Sequence, residues 1–350
     1  MIPVLRLARQ IALSNVRDLD VPYKLTYALT YRCQFSCSMC NIGRRELQQE
    51  LTVSEIADFF ERSNGFSWVN LSGGEIFLRE DLLDIVGIIA LQCKGLYVLN
   101  FPTNGYLTDL IVDRIGKLSV AHRIPRLIVT VSLDGPPRVH DSIRNMPGSW
   151  NRAVETFRRL RKMKNGRFEV YFGMTLQDTN VEEYDAMVAS VQERIGDVAD
   201  RDIHVNVLHT SNHYYRNAGC SIRNKQQVID RIRTIGKRRN TARSGPVGFL
   251  ERRYQTMAEL YLMTGRTPIV CQALSASLFM DPSGAVYPCT IFDSPIGNIR
   301  DHGYALDRLW NAGQRELVRG QILKKDCPQC WTPCEAYQSI LANMAPFLKR

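Results

Sequence analysis

The sequence predicts an α/β fold of strand–helix units with a small cysteine-rich C-terminal extension, and three observations predict it. Short apolar runs suited to strands alternate with stretches of helical periodicity from Leu25 to Leu208, the pattern of parallel βα units. The ten cysteines cluster, with three between Cys33 and Cys40, five between Cys271 and Cys334, and Cys93 and Cys220 alone. A chain of 350 residues with 45% hydrophobic content can bury one large core, or a core and a smaller second domain.

Residues 1–17 set Ile2, Val4, Leu5, Ala8, Ile11, Ala12 and Leu13 against Arg6, Arg9, Gln10 and Arg17, a short amphipathic helix. It is too short to span a membrane and too interrupted by arginine for a signal peptide. Packing on the domain is the default expectation, with an anionic membrane surface as the alternative. An apolar strand, Leu25 to Leu29, then runs into Cys33-Gln-Phe-Ser-Cys37-Ser-Met-Cys40. Three thiolates can ligate three irons of a [4Fe–4S] cube and leave one iron open to a small molecule. A zinc site would want a fourth Cys or His at short spacing, and no His follows before His122. The clustering points to metal binding in a reducing compartment, the cytoplasm, and away from a disulfide framework.

Thr52 and Glu55 form a capping box for a helix to Arg62. A strand from Ser67 to Leu71 runs into Ser72-Gly73-Gly74-Glu75, whose glycines let the backbone approach a ligand closely. Then follow helix 82–91, strand 96–101, the turn Thr103-Asn104-Gly105, helix 107–118 and strand 126–133. That strand ends in Ser132-Leu133-Asp134-Gly135-Pro136, with His140, Asp141 and Arg144 beyond. In a βα barrel, polar residues at strand C-termini face the mouth; Asp134 also reads as a simple turn cap. Helix 150–162 precedes strand 168–176, whose interior Gly173 marks a close approach. Helix 181–194 and strand 204–208 complete six units. His209, His213, Tyr214 and Tyr215 then form an aromatic loop that suits substrate contact or plain filling.

Helices are expected at 225–235 and 250–263. The formal charge of +10 favours an anionic partner, but its one dense run, Arg231 to Arg253 with Lys237, Arg238, Arg239 and Arg243, reads as a solvated helical surface. No nucleic-acid motif or stacking platform accompanies it, so no nucleic-acid partner is expected. Beyond Cys271, residues 278–289 form a hairpin turning at Asp281 to Gly284, followed by Gly297-Asn298-Ile299, a helix around 306–317, and Cys327-Pro-Gln-Cys330-Trp-Thr-Pro-Cys334. These thiolates can supply four ligands to a second cluster, with a zinc ribbon as the rival.

The spacing of Cys33, Cys37 and Cys40 resembles the signature of the radical S-adenosylmethionine superfamily. Gly73-Gly74-Glu75 resembles its segment for the methionine amino group, and Ser132 to Arg144 its fourth strand end. The resemblance implies a partial (β/α)6 TIM-like barrel. At its mouth a [4Fe–4S] cluster on Cys33, Cys37 and Cys40 reduces S-adenosylmethionine to a 5′-deoxyadenosyl radical that abstracts a substrate hydrogen. Gly73, Gly74, Glu75, Ser132, Asp134 and Gly173 are the cofactor-binding candidates. Twelve residues from Cys271 to Gly284 and four from there to Cys289 match the hairpin of SPASM and twitch extensions. With no cysteine after Cys334, one auxiliary [4Fe–4S] cluster is expected on Cys271, Cys289, Cys327 and Cys330, with Cys334 competing.

Thr290 stands where anaerobic sulfatase-maturing members carry a basic aspartate, so that base does not transfer, and no catalytic residue is assigned; Asp293 lies nearby in sequence. The expected organisation is an N-terminal segment (1–22), the barrel (23–212), a helical connection (213–265) and the auxiliary domain (266–350). The expected partners are a peptide or small-molecule substrate, anionic in keeping with the basic surface, and an electron donor such as a flavodoxin or ferredoxin. The short lead before Cys33 argues against a peptide-recognition domain in front of it. A non-catalytic iron–sulfur carrier explains the cysteines but not Gly73-Gly74-Glu75; a zinc-stabilised binding module is the remaining alternative.

Overall fold

A computed structural model describes residues 2–46, 49–239 and 245–345. Six parallel strands, β1 (Lys24–Thr30), β2 (Trp68–Gly73), β3 (Val98–Thr103), β4 (Arg126–Ser132), β5 (Phe168–Leu176) and β6 (Ile203–Val207), lie side by side in chain order. Each strand pairs with its predecessor, so the sheet winds one way, as in a barrel and unlike a doubly wound sheet. The connecting helices are α2 (Val53–Arg62), α3 (Leu82–Gln92), α4 (Thr108–Ala121), α5 (Pro137–Arg144), α6 (Ser149–Lys162) and α7 (Tyr184–Ile195), with α1 (Pro3–Ser14) ahead of β1. The capping box at Thr52 and Glu55 is present.

The sheet continues past β1. β7 (Ser277–Met280) pairs parallel with β1, and β8 (Ala285–Tyr287) and β9 (Gly297–Asn298) add antiparallel, giving the order β6-β5-β4-β3-β2-β1-β7-β8-β9. The C-terminal hairpin is therefore an extension of the barrel sheet. No pairing joins β6 to β9 among the described residues, so the barrel is partial. α8 (Lys225–Arg239) and α9 (Gly245–Thr264) follow β6; α10 (Leu306–Trp310), α11 (Gln314–Lys324) and α12 (Pro333–Leu341) follow β9.

Alternation tells which strand face meets the helices. In β4, Leu127, Val129 and Val131 are buried against the helical layer, while Arg126, Ile128, Thr130 and Ser132 are half-buried on the inner face. β1 differs, being buried at every position, because side chains cover both of its faces. Leu25, Tyr27 and Leu29 join the main core, and Ala28 packs with Tyr31, Tyr214 and Phe279.

Three expectations change. The helix expected over 306–317 is two, α10 and α11, because Leu306, Leu309 and Trp310 bury one face while Val318 and Ile322 bury another, and Asn311 and Gly313 between them are poor helix formers. α5 and α12 were not foreseen; each has proline in its first turn, the position proline tolerates. The basic run is a paired surface: Arg231 meets Glu182 and Asp185, Arg233 meets Glu259, and Arg238 meets Asp185. Arg243 lies outside the described residues. α1 packs by Leu7 against Leu19, Tyr23 and Ala276, leaving Val4 and Leu5 exposed. Among the described residues no helix is long and apolar enough to cross a membrane.

Candidate functional site

β1 delivers the Cys33–Cys40 loop to the C-terminal end of the strands. Neighbouring loops hold it by backbone: Ser38 donates to Ile143 at 2.8 Å, Asn41 to Tyr215 at 2.9 Å, and the Asn217 side chain to Met39 at 2.9 Å. The thiols sense one another. Burial pushes Cys33 up to about 12, with Glu75, Cys37 and Cys40 adding to the effect, and burial pushes Cys40 up to about 11. Without a bound cation these sulfurs keep their protons, so metal binding must release them. The set fits an iron–sulfur cluster: three free thiols on one loop, with the Arg144 guanidinium 3.9 Å from Cys37 Sγ.

The glycines of Gly73-Gly74 have a local reason. A Cβ on Gly73, where φ is +132°, would sit 2.1 Å from the Thr30 carbonyl oxygen, and one on Gly74 2.2 Å from that of Arg32. The close approach that demands glycine is thus to the backbone entering the cysteine loop, where Gly74 N donates to Thr30 O and Glu75 N to Arg32 O, both at 2.8 Å. Tyr214, from the loop after β6, sets its hydroxyl 2.8 Å from Ser72 Oγ and accepts from Gly73 N at 3.2 Å. Glu75 is fully buried. Its carboxylate accepts from the Thr103 hydroxyl at 2.9 Å and the Asn104 amide at 2.8 Å, locking the loop after β3. Burial raises its pKa to about 7 despite these donors.

Ser132 pairs in register with Gly173 and its hydroxyl makes no hydrogen bond among the described residues. A Cβ on Gly173 would meet Thr130 Cγ2 at 2.7 Å, so packing of β5 on β4 also favours glycine there. Asp134 is fully buried and committed: one oxygen meets Arg144 Nη2 at 2.6 Å and Nε at 2.7 Å, and the other accepts from Thr175 N at 2.9 Å. Its own amide donates to His140 Nδ1 at 3.0 Å. Asp134 is therefore fully engaged by Arg144 and the β5 backbone. Asp141 caps α6 through Ser149 and Trp150.

The aromatic loop joins the barrel to the extension. His209 donates from Nδ1 to Val207 O at 2.8 Å and accepts at Nε2 from Trp331 N at 2.9 Å. His213 donates from Nε2 to Cys289 O at 3.0 Å and stacks on Tyr287. Burial lowers both to about 4, so both are neutral structural links. Thr290 is buried with an unpartnered hydroxyl, and Asp293 is exposed.

The second thiol group assembles between β7, β8 and the start of α12. A hydrogen bond between Cys289 and Cys330 lowers Cys330 and raises Cys289; Cys271 neighbours both and is raised by burial. Burial raises Cys334 and Cys327, and Cys330 adds to the rise at each. Under them, the fully buried Lys24 donates to Cys334 O at 2.5 Å and Gln338 Oε1 at 2.7 Å. Glu335, raised to about 7 by burial, accepts from Ser277 at 2.6 Å and leaves Oε1 without a partner. This buried thiol set also fits a cluster. The contacts of Lys24, Glu335 and Tyr214 had no sign in the spacing, because their partners lie far off in the chain; Arg144 stood in view but without its partner.

A one-way parallel sheet with a three-cysteine loop at its mouth and a second thiol group against the same first strand defines a class of iron–sulfur barrel proteins. The chain belongs to the Radical SAM superfamily, whose model matches residues 27–191, and a SPASM iron–sulfur cluster-binding domain matches residues 271–334. The family carries a [4Fe–4S] cluster with S-adenosylmethionine, and the SPASM region auxiliary iron–sulfur binding. The chain is similar to mycofactocin maturase MftC of Mycolicibacterium smegmatis, 31% identical over 53% of this chain and 45% of that one. It is also similar to the AdoMet-dependent heme synthase of Methanosarcina barkeri, 26% identical over 89% of each. The matched part spans under half the length of the maturases. Streptococcus suis SuiB, solved with S-adenosylmethionine and with its precursor peptide SuiA, shares the fold, with a TM-score of 0.60 at 14% identity, over 89% of this chain and 70% of SuiB.

Proposed function

We propose that the chain is a radical S-adenosylmethionine oxidoreductase acting on a peptide, with one auxiliary cluster. The observation that supports this is the docking of Gly73-Gly74 onto the backbone that enters the cysteine loop, which sets these glycines and the three-thiol loop side by side. A [4Fe–4S] cluster with S-adenosylmethionine, when bound, supplies the electron that releases a 5′-deoxyadenosyl radical able to take a substrate hydrogen.

The residues do the rest. Cys33, Cys37 and Cys40 hold the iron. The backbone of Gly73 and Gly74, fixed by Tyr214, and the unengaged Ser132 hydroxyl orient the cofactor. Glu75 and Asp134 act one step back, holding Thr103-Asn104 and Arg144; Gly173 keeps β5 close to Ser132. Cys271, Cys289, Cys327 and Cys330 hold the auxiliary cluster, with Cys334 in reserve, within a unit spanning 266–350 beside a barrel of 23–212. A flavodoxin or ferredoxin in the cytoplasm supplies electrons.

The peptide reading rests on the maturase relative and on the SuiB–SuiA complex; the full-length match to a heme synthase favours a small molecule as the second reading. Anaerobically reconstituted, dithionite-reduced protein should convert S-adenosylmethionine to 5′-deoxyadenosine. A fully loaded sample that makes none would remove the enzyme reading.

A further inference from the structure

The Arg144 guanidinium divides its donors between two very different partners. Nε and Nη2 are taken by Asp134 at 2.7 and 2.6 Å, while Nη1 lies 3.9 Å from Cys37 Sγ. Cys37 takes its donor from a side chain on another element. We propose that Arg144 is a positioning residue that raises the electron affinity of the N-terminal cluster by donating to the Cys37 sulfur, with Asp134 fixing both its aim and its net charge. The proposal rests on the reading that Cys33, Cys37 and Cys40 hold that cluster.

The surrounding structure makes the contact stiff. Arg144 is the last residue of α5, whose end is tied to the cysteine loop on either side, Ser38 N donating to Ile143 O at 2.8 Å and Asn145 Nδ2 to Ser36 Oγ at 2.9 Å. Asp134 cannot swing away, because its second oxygen accepts from Thr175 N and its carbonyl from Asn180 Nδ2, both at 2.9 Å. Only arginine has the planar fork to engage a carboxylate through two nitrogens and still offer a third.

Reduction adds one negative charge to a cluster, and donors or cations at its sulfurs stabilise the reduced form. Asp134 offsets most of the guanidinium charge, leaving chiefly the hydrogen bond. Removing Arg144 should therefore lower the midpoint potential, whereas removing only the charge of Asp134 should raise it. A salt bridge that merely supported the fold would give no such opposite pair of shifts.

The test is an EPR-monitored redox titration of the full-length reconstituted protein. The N-terminal cluster is recognised by the change in its reduced signal on adding S-adenosylmethionine. With iron per chain retained, R144Q should shift that midpoint to more negative values, R144K should fall between it and wild type, and D134N should shift it the other way. Should R144Q load poorly, R144K and D134N carry the comparison alone. Fully loaded variants with unchanged potentials would overturn the proposal. Wild-type protein with no S-adenosylmethionine-sensitive signal would instead overturn the cluster assignment on which it rests.

Discussion

Cys33, Cys37 and Cys40 come from one loop, whereas Cys271, Cys289, Cys327, Cys330 and Cys334 are gathered from separate segments of residues 271–334. The first group is held by backbone hydrogen bonds from neighbouring mouth loops and faces a guanidinium. The second exists only because β7 pairs with β1 and α12 docks beneath, and it faces a buried lysine and carboxylate. A local ligand set can survive changes elsewhere in the fold; a gathered one reports on the fold itself. The two groups should therefore fail independently and for different reasons.

The sharpest way to break the comparison is to remove ligands. Changing Cys33, Cys37 and Cys40 to alanine, or instead Cys271 and Cys289, should each lower iron from about eight to about four per chain, as one cube of two is lost. Only the first change should abolish 5′-deoxyadenosine formation in the uncoupled assay. Iron of about four falling to none with the first variant would show that the C-terminal thiols hold no cluster.

Next in size is Lys24→Met. It removes the donor to Cys334 O and Gln338 Oε1, leaving two buried acceptors short of a donor at a cost of about 1–3 kcal/mol each. Denaturant unfolding should show this loss, and iron analysis should show the C-terminal cluster depleted before the N-terminal one. Gly74→Ala makes the converse test, since its Cβ would sit 2.2 Å from Arg32 O. A loss of about 2–3 kcal/mol from the steric clash, with S-adenosylmethionine-sensitive EPR signal lost and C-terminal iron kept, is expected.

The smallest effect lies at the seam between the regions. Glu55, the capping carboxylate of α2, bonds Arg300 at 2.6 Å and Tyr304 at 3.0 Å, and the hydrogen bond to Arg300 holds it down at about 2. A depressed carboxylate stabilises the fold fully above its ordinary value and loses that contribution as pH falls through the folded value. Glu55→Gln should cost about 1 kcal/mol at neutral pH, and the gap to wild type should close as the medium is taken from 4.5 toward 2. An equal gap across that window would show the charge to be irrelevant.

What the sequence disclosed follows the same division. The βα alternation, the cysteine loop and the hairpin are local patterns, each legible from spacing. The pairing of β7 with β1 is not, because nothing in Ser277–Met280 names its partner across more than two hundred residues of chain. The burial of Lys24 carried no local sign, since its partners Gln338 and Cys334 lie at the far end of the sequence. Gly73 and Gly74 were visible as special; what spacing alone did not disclose is their close approach to the chain's own backbone at Thr30 and Arg32. Asp134 stood out beside a turn, and only the folded distance to Arg144 explains its burial. The helix expected over 306–317 failed where the buried face changes between Trp310 and Val318.

β1 touches both thiol groups, leading into Cys33 at one end and anchoring Cys334 through Lys24 at the other. Seven extended residues rise about 3.3 Å each, so roughly 20 Å of one continuous strand forms a ruler from the Lys24 anchor to the turn that enters Cys33. Inserting a single residue would both lengthen the ruler and flip its side chains to opposite faces. The spacing of the redox sites is thus tied to the register of the core, and one cannot drift without the other.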